Sequence, residues 1–150
     1  MIQKYHIQLN SDIYALSKLQ GWFQQFQKLL PKQAWMQCNL VLVEVFTNVV
    51  SYAHEKLPEE TPIDIELDIF ANERCLQLKI WDYGQPFDLE TEIERASLEA
   101  EKNKEFNNSH NSIDDLPTGG RGLYIAKTVA DEISYKRIEE RNCFVMTKKF

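Results

Sequence analysis

The stretch from Leu40 to His54 limits, more than any other, what this chain can fold into. Wound at about 3.6 residues per turn, it is apolar nearly all round. The exceptions, Glu44, Thr47, Asn48 and Ser51, fall at i, i+3, i+4 and i+7 and so share one stripe. Burying a carboxylate and an amide without partners costs several kcal/mol. The stripe therefore either reaches the surface or faces something polar: a ligand, a metal ion or a wet cleft.

A chain of 150 residues makes one domain of common size, able to bury about two-thirds of the surface its unfolded form exposes. Its formal net charge of −6 lacks the basic footprint of nucleic-acid binders, so no direct nucleic-acid partner is expected. Cys38, Cys75 and Cys143 are odd in number and widely spaced, and His6, His54 and His110 are as scattered. Neither a disulfide framework nor a zinc site is indicated. No window approaches the ~20 apolar residues of a membrane span, and the first residues lack an apolar signal region. A soluble, cytoplasmic protein is the expectation, with no membrane partner.

Along the chain, Tyr5, Ile7 and Leu9 alternate with His6, Gln8 and Asn10, the period of a half-buried strand. That alternation turns His6 outward. Ser11 or Asp12 can cap a helix on which Ile13, Leu16, Leu19, Phe23, Phe26 and Leu30 form one apolar stripe until Pro31 stops it. Pro31 suits the start of the next helix, which carries Glu44 and Asn48 and is predicted to run to about Lys56. Ile63 to Ile69 and Leu76 to Ile80 then alternate around a turn at 71–74, giving a hairpin.

The next residue on the buried face of that second strand is Asp82, ahead of Tyr83, Gly84, Gln85 and Pro86. A carboxylate there is either a turn former or an acceptor lining a pocket. Residues 88–105 can form a charged helix, and the polar run after it has almost nothing to bury. A mobile lid around 88–118 is expected within a single domain spanning 1–150, the segment 103–115 being its most polar part. Thr118, Gly119, Gly120, Arg121, Gly122 and Leu123 then open a helical pattern with Leu123, Ala126 and Ala130 on one side. Glycines at a helix N-terminus let backbone N–H groups approach phosphate, although this run fits neither a Walker A loop nor a dinucleotide fingerprint. Strands over 133–136 and 143–146, joined by a polar turn from Glu139 to Asn142, close the chain.

Taken in order, Glu44-x-x-x-Asn48, Asp82-x-Gly84-x-Pro86 and Gly120-Arg121-Gly122-Leu123 resemble the three nucleotide-binding boxes of the GHKL ATPase superfamily. With Phe87 and Asp88 following Pro86, and Val129 to Glu132 following the glycines, the pattern looks most like the anti-sigma factor serine/threonine kinases. The resemblance implies an α/β two-layer sandwich, helices on one face of a mixed, largely antiparallel sheet, that binds ATP and Mg²⁺. By position it makes Glu44 the catalytic base and Asn48 the Mg²⁺ ligand, with Asp82 reading the adenine amine and Gly84 admitting the base. Pro86, Gly119, Gly120, Arg121, Gly122 and Leu123 complete the implied nucleotide-binding set. Tyr52 and His54 stand where the family often has the reverse order, a departure at the edge of the site.

Three functions fit. One is a protein serine/threonine kinase that phosphorylates an anti-anti-sigma partner of STAS type and sequesters a sigma factor. The second is a module that binds its partner under ATP control without transferring phosphate. The third is the ATPase domain of a histidine kinase, against which no dimerisation helix with an acceptor His precedes Glu44. Glu44 favours the first, because a pure binder needs no base. A homodimer is expected from the resemblance and from Trp22, Phe23 and Phe26, more aromatics than one helical face requires.

Overall fold

The computed structural model describes residues 2–106 and 118–150. Strand β1 (Ile2–Asn10) leads into a short 3₁₀ turn, helix α1 (Leu16–Gln24) and a second 3₁₀ turn. Asp12 caps this segment, its carboxylate accepting from Tyr14 N–H at 3.0 Å. The single apolar stripe expected here is thus bent across two tighter turns, which leaves Ile13 exposed while Leu19, Phe23, Phe26 and Leu30 enter the core.

Helix α2 (Lys32–Asn48) begins directly after Pro31, whose carbonyl accepts from Trp35 N–H at 3.0 Å. It does not run on as a regular helix to Lys56. From Val49 to Ala53 it widens into a π turn, closed by His54 N–H on the Val49 carbonyl at 2.7 Å. The Trp35 indole donates to the Phe23 carbonyl at 3.0 Å and its ring stacks on Phe23, tying α2 to α1. Phe23 and Phe26 are buried, and Trp22 packs edge-on against Phe26. The aromatics read in the sequence as a surplus therefore pack within the chain itself.

The hairpin of β2 (Pro62–Phe70) and β3 (Cys75–Asp82) has the expected alternation, every second side chain buried. Helices α3 (Leu89–Phe106) and α4 (Thr118–Val129) precede the closing hairpin of β4 (Glu132–Ile138) and β5 (Arg141–Lys149). Residues 107–117, within the expected lid, lie outside the described residues. The sheet order is β1-β2-β3-β5-β4, and all four pairings are antiparallel. The layered α/β sandwich is as expected, but its sheet is wholly antiparallel rather than mixed. A tight hairpin brings β5 back alongside β3, leaving β4 at the edge.

The sheet's inner face, Ile63, Ile65, Leu67, Leu76, Leu78, Ile80, Phe144 and Met146, packs under Val41, Leu42, Val45 and Phe46 of α2. Each such side chain contributes roughly 1.5–3 kcal/mol when withdrawn from water. Helix α4 adds Leu123, Ile125 and Ala126 to this core and packs against both α2 and α3. Among the described residues, no helix is long and apolar enough to cross a membrane.

Candidate functional site

Helix α2 carries its polar stripe into the protein rather than out to solvent. Glu44 is 8% exposed, Thr47 and Asn48 are half-buried, and only Ser51 is exposed. Ser51 leaves the stripe because the π turn fits an extra residue into the turn, so each residue rotates by less than a regular helical step. The cover over Glu44 and Asn48 comes from α4. A Cβ built on Gly122 would lie 2.9 Å from Asn48 Nδ2 and 3.1 Å from Glu44 Cβ. Glycine is required there by close approach: any side chain would push α4 off the stripe. Asn48 Oδ1 is buried beneath this contact and accepts no hydrogen bond. Among the described residues it shares that state with the Tyr135 hydroxyl, and unpaired buried groups are uncommon enough to mark a place for water, an ion or a ligand.

At the end of β3, Asp82 is 6% exposed and serves both roles left open for it. Its Oδ1 accepts from Gly84 N–H at 2.8 Å, a local turn bond, and from Asn142 Nδ2 at 2.9 Å. The carboxylate also lines a cavity of about 750 Å³. Asn142, fully buried, stands directly across the β3–β5 ladder from Asp82. Its Nδ2 donates as well to the Gly84 carbonyl at 2.8 Å. Arg137, across the β4–β5 ladder from Asn142, donates to that same carbonyl at 2.8 Å and to Asn142 Oδ1 at 3.1 Å. The sequence placed Asn142 in a turn. The actual turn is confined to Glu139 and Glu140, with Glu139 at φ 58, which brings Asn142 into β5.

The π turn completes the other side of this loop. Ala53 fills the space beside Gly84, where a Cβ would come within 2.7 Å of the Ala53 carbonyl oxygen. His54, 2% exposed, accepts from Tyr83 N–H through Nε2 at 2.8 Å. Its Nδ1 lies 3.0 Å from Ser11 Oγ. Burial lowers the His54 pKa from the ordinary value, with the Asp82 charge pulling the other way. Tyr135 on β4 lies against the Phe87 ring at 4.2 Å. Its hydroxyl is pushed up to about 12, first by burial and then by the Asp82 charge, against a smaller opposing pull from the Phe87 backbone and Arg137.

The cavity measures about 750 Å³ and is lined by Asn48, Tyr52, Lys56, Asp82, Gly84, Phe87, Arg95, Leu123 and Tyr135 among others. That volume falls in the ordinary range for a small-molecule site. Of the residues singled out in the sequence, Asn48, Asp82, Gly84 and Leu123 line it, whereas Glu44 and Gly122 meet at the Asn48 stripe behind the lining. Pro86 is exposed and outside the lining. Gly119, Gly120 and Arg121 fall in the first turn of α4, and the Arg121 side chain lies outside the described residues.

A family profile described as the histidine kinase-like ATPase domain matches residues 9–148. The chain belongs to that family. A solved structure similar to it is the Acinetobacter baumannii histidine kinase AdeS, at 14% identity and a TM-score of 0.49, with 97% of this chain and 67% of that chain covered. No curated protein matches this chain in sequence.

Histidine kinase-like ATPase domains bind ATP, generally with Mg²⁺. The residues here fit such an occupant: an unpaired buried oxygen on Asn48, a glycine-covered wall, an acidic floor at Asp82 and apolar sides between them. Asn142 and Arg137 are residues of this network that the sequence reading missed, and His54, noted there only as a departure at the edge of the site, turns out to hold the loop. Only the alternation of β5, which places Asn142 on the same face as Phe144 and Met146, could have pointed to the first of them.

Proposed function

We propose that this histidine kinase-like ATPase domain binds ATP in the cavity and works as a protein serine/threonine kinase of the anti-sigma factor type. The observation that carries the proposal is the buried, unpaired Oδ1 of Asn48, one helical turn from Glu44 under Gly122, in a cavity that Asp82 also lines. Asp82 is suited to accept from an adenine amine. Mg²⁺, held by Asn48 Oδ1, would neutralise charge on the phosphates. Glu44 is placed to take the proton of a serine hydroxyl as that oxygen bonds to the γ-phosphorus; the bond to the bridging oxygen breaks and ADP leaves. Phosphoryl transfer demands mainly positioning and charge neutralisation, which one carboxylate and one amide can share.

The substrate is a small anti-anti-sigma protein of STAS type, and the client sequestered in its absence is a sigma factor, held by a homodimer. The motif resemblance supports this part, through Glu44 to Asn48, Asp82 to Asp88 and Gly119 to Glu132. Incubating the protein with labelled ATP and candidate partners tests it: label should appear on a partner serine, and only with Glu44 intact. Capture of the partner with ATP bound but no label would establish the binding module without transfer. Absence of adenine-nucleotide binding at millimolar concentration would overturn the whole reading.

A further inference from the structure

The loop after β3 is held from two sides by different means. Asn142 and Arg137 grip the Gly84 carbonyl from the sheet, with no group that titrates near neutrality. From the helical side, the grip on Tyr83 N–H is a single histidine nitrogen. Because Tyr83 N–H donates to Nε2, that nitrogen must be unprotonated, and the ring proton sits on Nδ1, donating to Ser11 Oγ. Ser11 is in turn anchored by its own N–H on the Glu59 carbonyl at 2.8 Å. The acceptor thus works in one protonation state and one tautomer.

We propose that His54 is a positioning residue for nucleotide recognition: its neutral ring holds the Tyr83 amide and thereby sets the Asp82-to-Gly84 turn, and protonation releases it. This rests on the ATP reading given above. A second proton on His54 would set an N–H of the ring against the Tyr83 N–H, two donors face to face in a buried site. Among the described residues, the charge acting on the ring is the Asp82 carboxylate, which favours the charged form but is outweighed by burial. The sign follows: the neutral, holding form prevails above the unperturbed histidine range, and is lost as pH falls through the lowered folded-state value. Nucleotide affinity should fall with it. The chain's own departure from the family order at Tyr52 and His54 is what puts an imidazole here.

The test is ATP affinity by calorimetry from pH 8 to pH 5 for the wild type, His54→Gln and His54→Leu. Gln keeps an acceptor that does not titrate near the position of Nε2; Leu removes it. Wild-type affinity should drop about tenfold across the acid limb beyond the drop seen in His54→Gln, whose profile carries ATP's own protonation and every effect that does not pass through His54. His54→Leu should be weaker about tenfold at pH 8. Should the Leu variant fail to fold, the wild-type and Gln profiles decide alone. Superimposable profiles for these two, with wild-type ATP binding intact, would overturn the role of His54 only. No ATP binding by the wild type at pH 8 would instead overturn the ATP reading, and this inference with it.

Discussion

The two ends of the cavity differ in how their polar groups are satisfied. At the Asp82 end, Oδ1 of the carboxylate, the Gly84 carbonyl and the Tyr83 amide all have partners within 3 Å, drawn from the loop itself, β5, β4 and the π turn, and the buried Tyr135 hydroxyl beside them is the exception. At the Glu44 end, Asn48 Oδ1 is buried and unpaired beneath Gly122. A fully bonded network is rigid before any ligand arrives; an orphaned acceptor stores a penalty that a ligand relieves. Under the proposed function one end would recognise the base and the other hold the phosphates and react, and their responses to substitution should separate.

The largest separation is expected at Glu44. Glu44→Ala should lower phosphoryl transfer by ~10²-fold or more while ATP affinity stays near wild type, since a general base acts in the transition state. Single-turnover transfer beside calorimetry would read both, and a wild-type rate would remove Glu44 from the chemistry. At the opposite end the loss should be one of stability. Asn142→Ala strips a donor from Asp82 and from the Gly84 carbonyl together and should destabilise by about 2 kcal/mol, through buried acceptors left unpaired. Urea denaturation checks this, and an unchanged midpoint would mean that the network is slack.

A smaller effect should mark Asp82→Asn. The new amide can keep its oxygen toward the Gly84 and Asn142 donors, which turns an NH₂ toward the ligand. ATP should weaken by roughly tenfold, the worth of one hydrogen bond, and GTP less. Equal weakening of both would show that Asp82 does not read the base. The smallest change in stability should come from Asn48→Leu, which removes the unpaired oxygen at similar volume: stability should rise by about 1 kcal/mol, although Mg²⁺-dependent ATP binding should weaken with it. A stability loss like that of Asn142→Ala would abolish the contrast between the two ends.

What the sequence by itself determined is what depends on local spacing. The period of 3.6 put Glu44 and Asn48 on one stripe, alternation placed Asp82 on the inner face of its strand, and an Asp two residues before a Gly announced a turn. Those signals marked the elements and the polar stripe, while the layered fold and the assignment of these residues to a nucleotide site were implications of the three-box resemblance. Strand neighbours did not follow from them, because an alternating run is compatible with any partner: the position of Asn142 and Arg137 around the Gly84 carbonyl was set by ladder register and by a turn two residues shorter than expected. Nor did the π turn, whose extra residue expels Ser51 from the stripe and swings His54 onto Tyr83, show in a helical pattern that assumes constant pitch. Even the reason for Gly84 was tertiary. In the sequence it is a turn residue, whereas in the folded protein the Ala53 backbone occupies the place of its missing side chain.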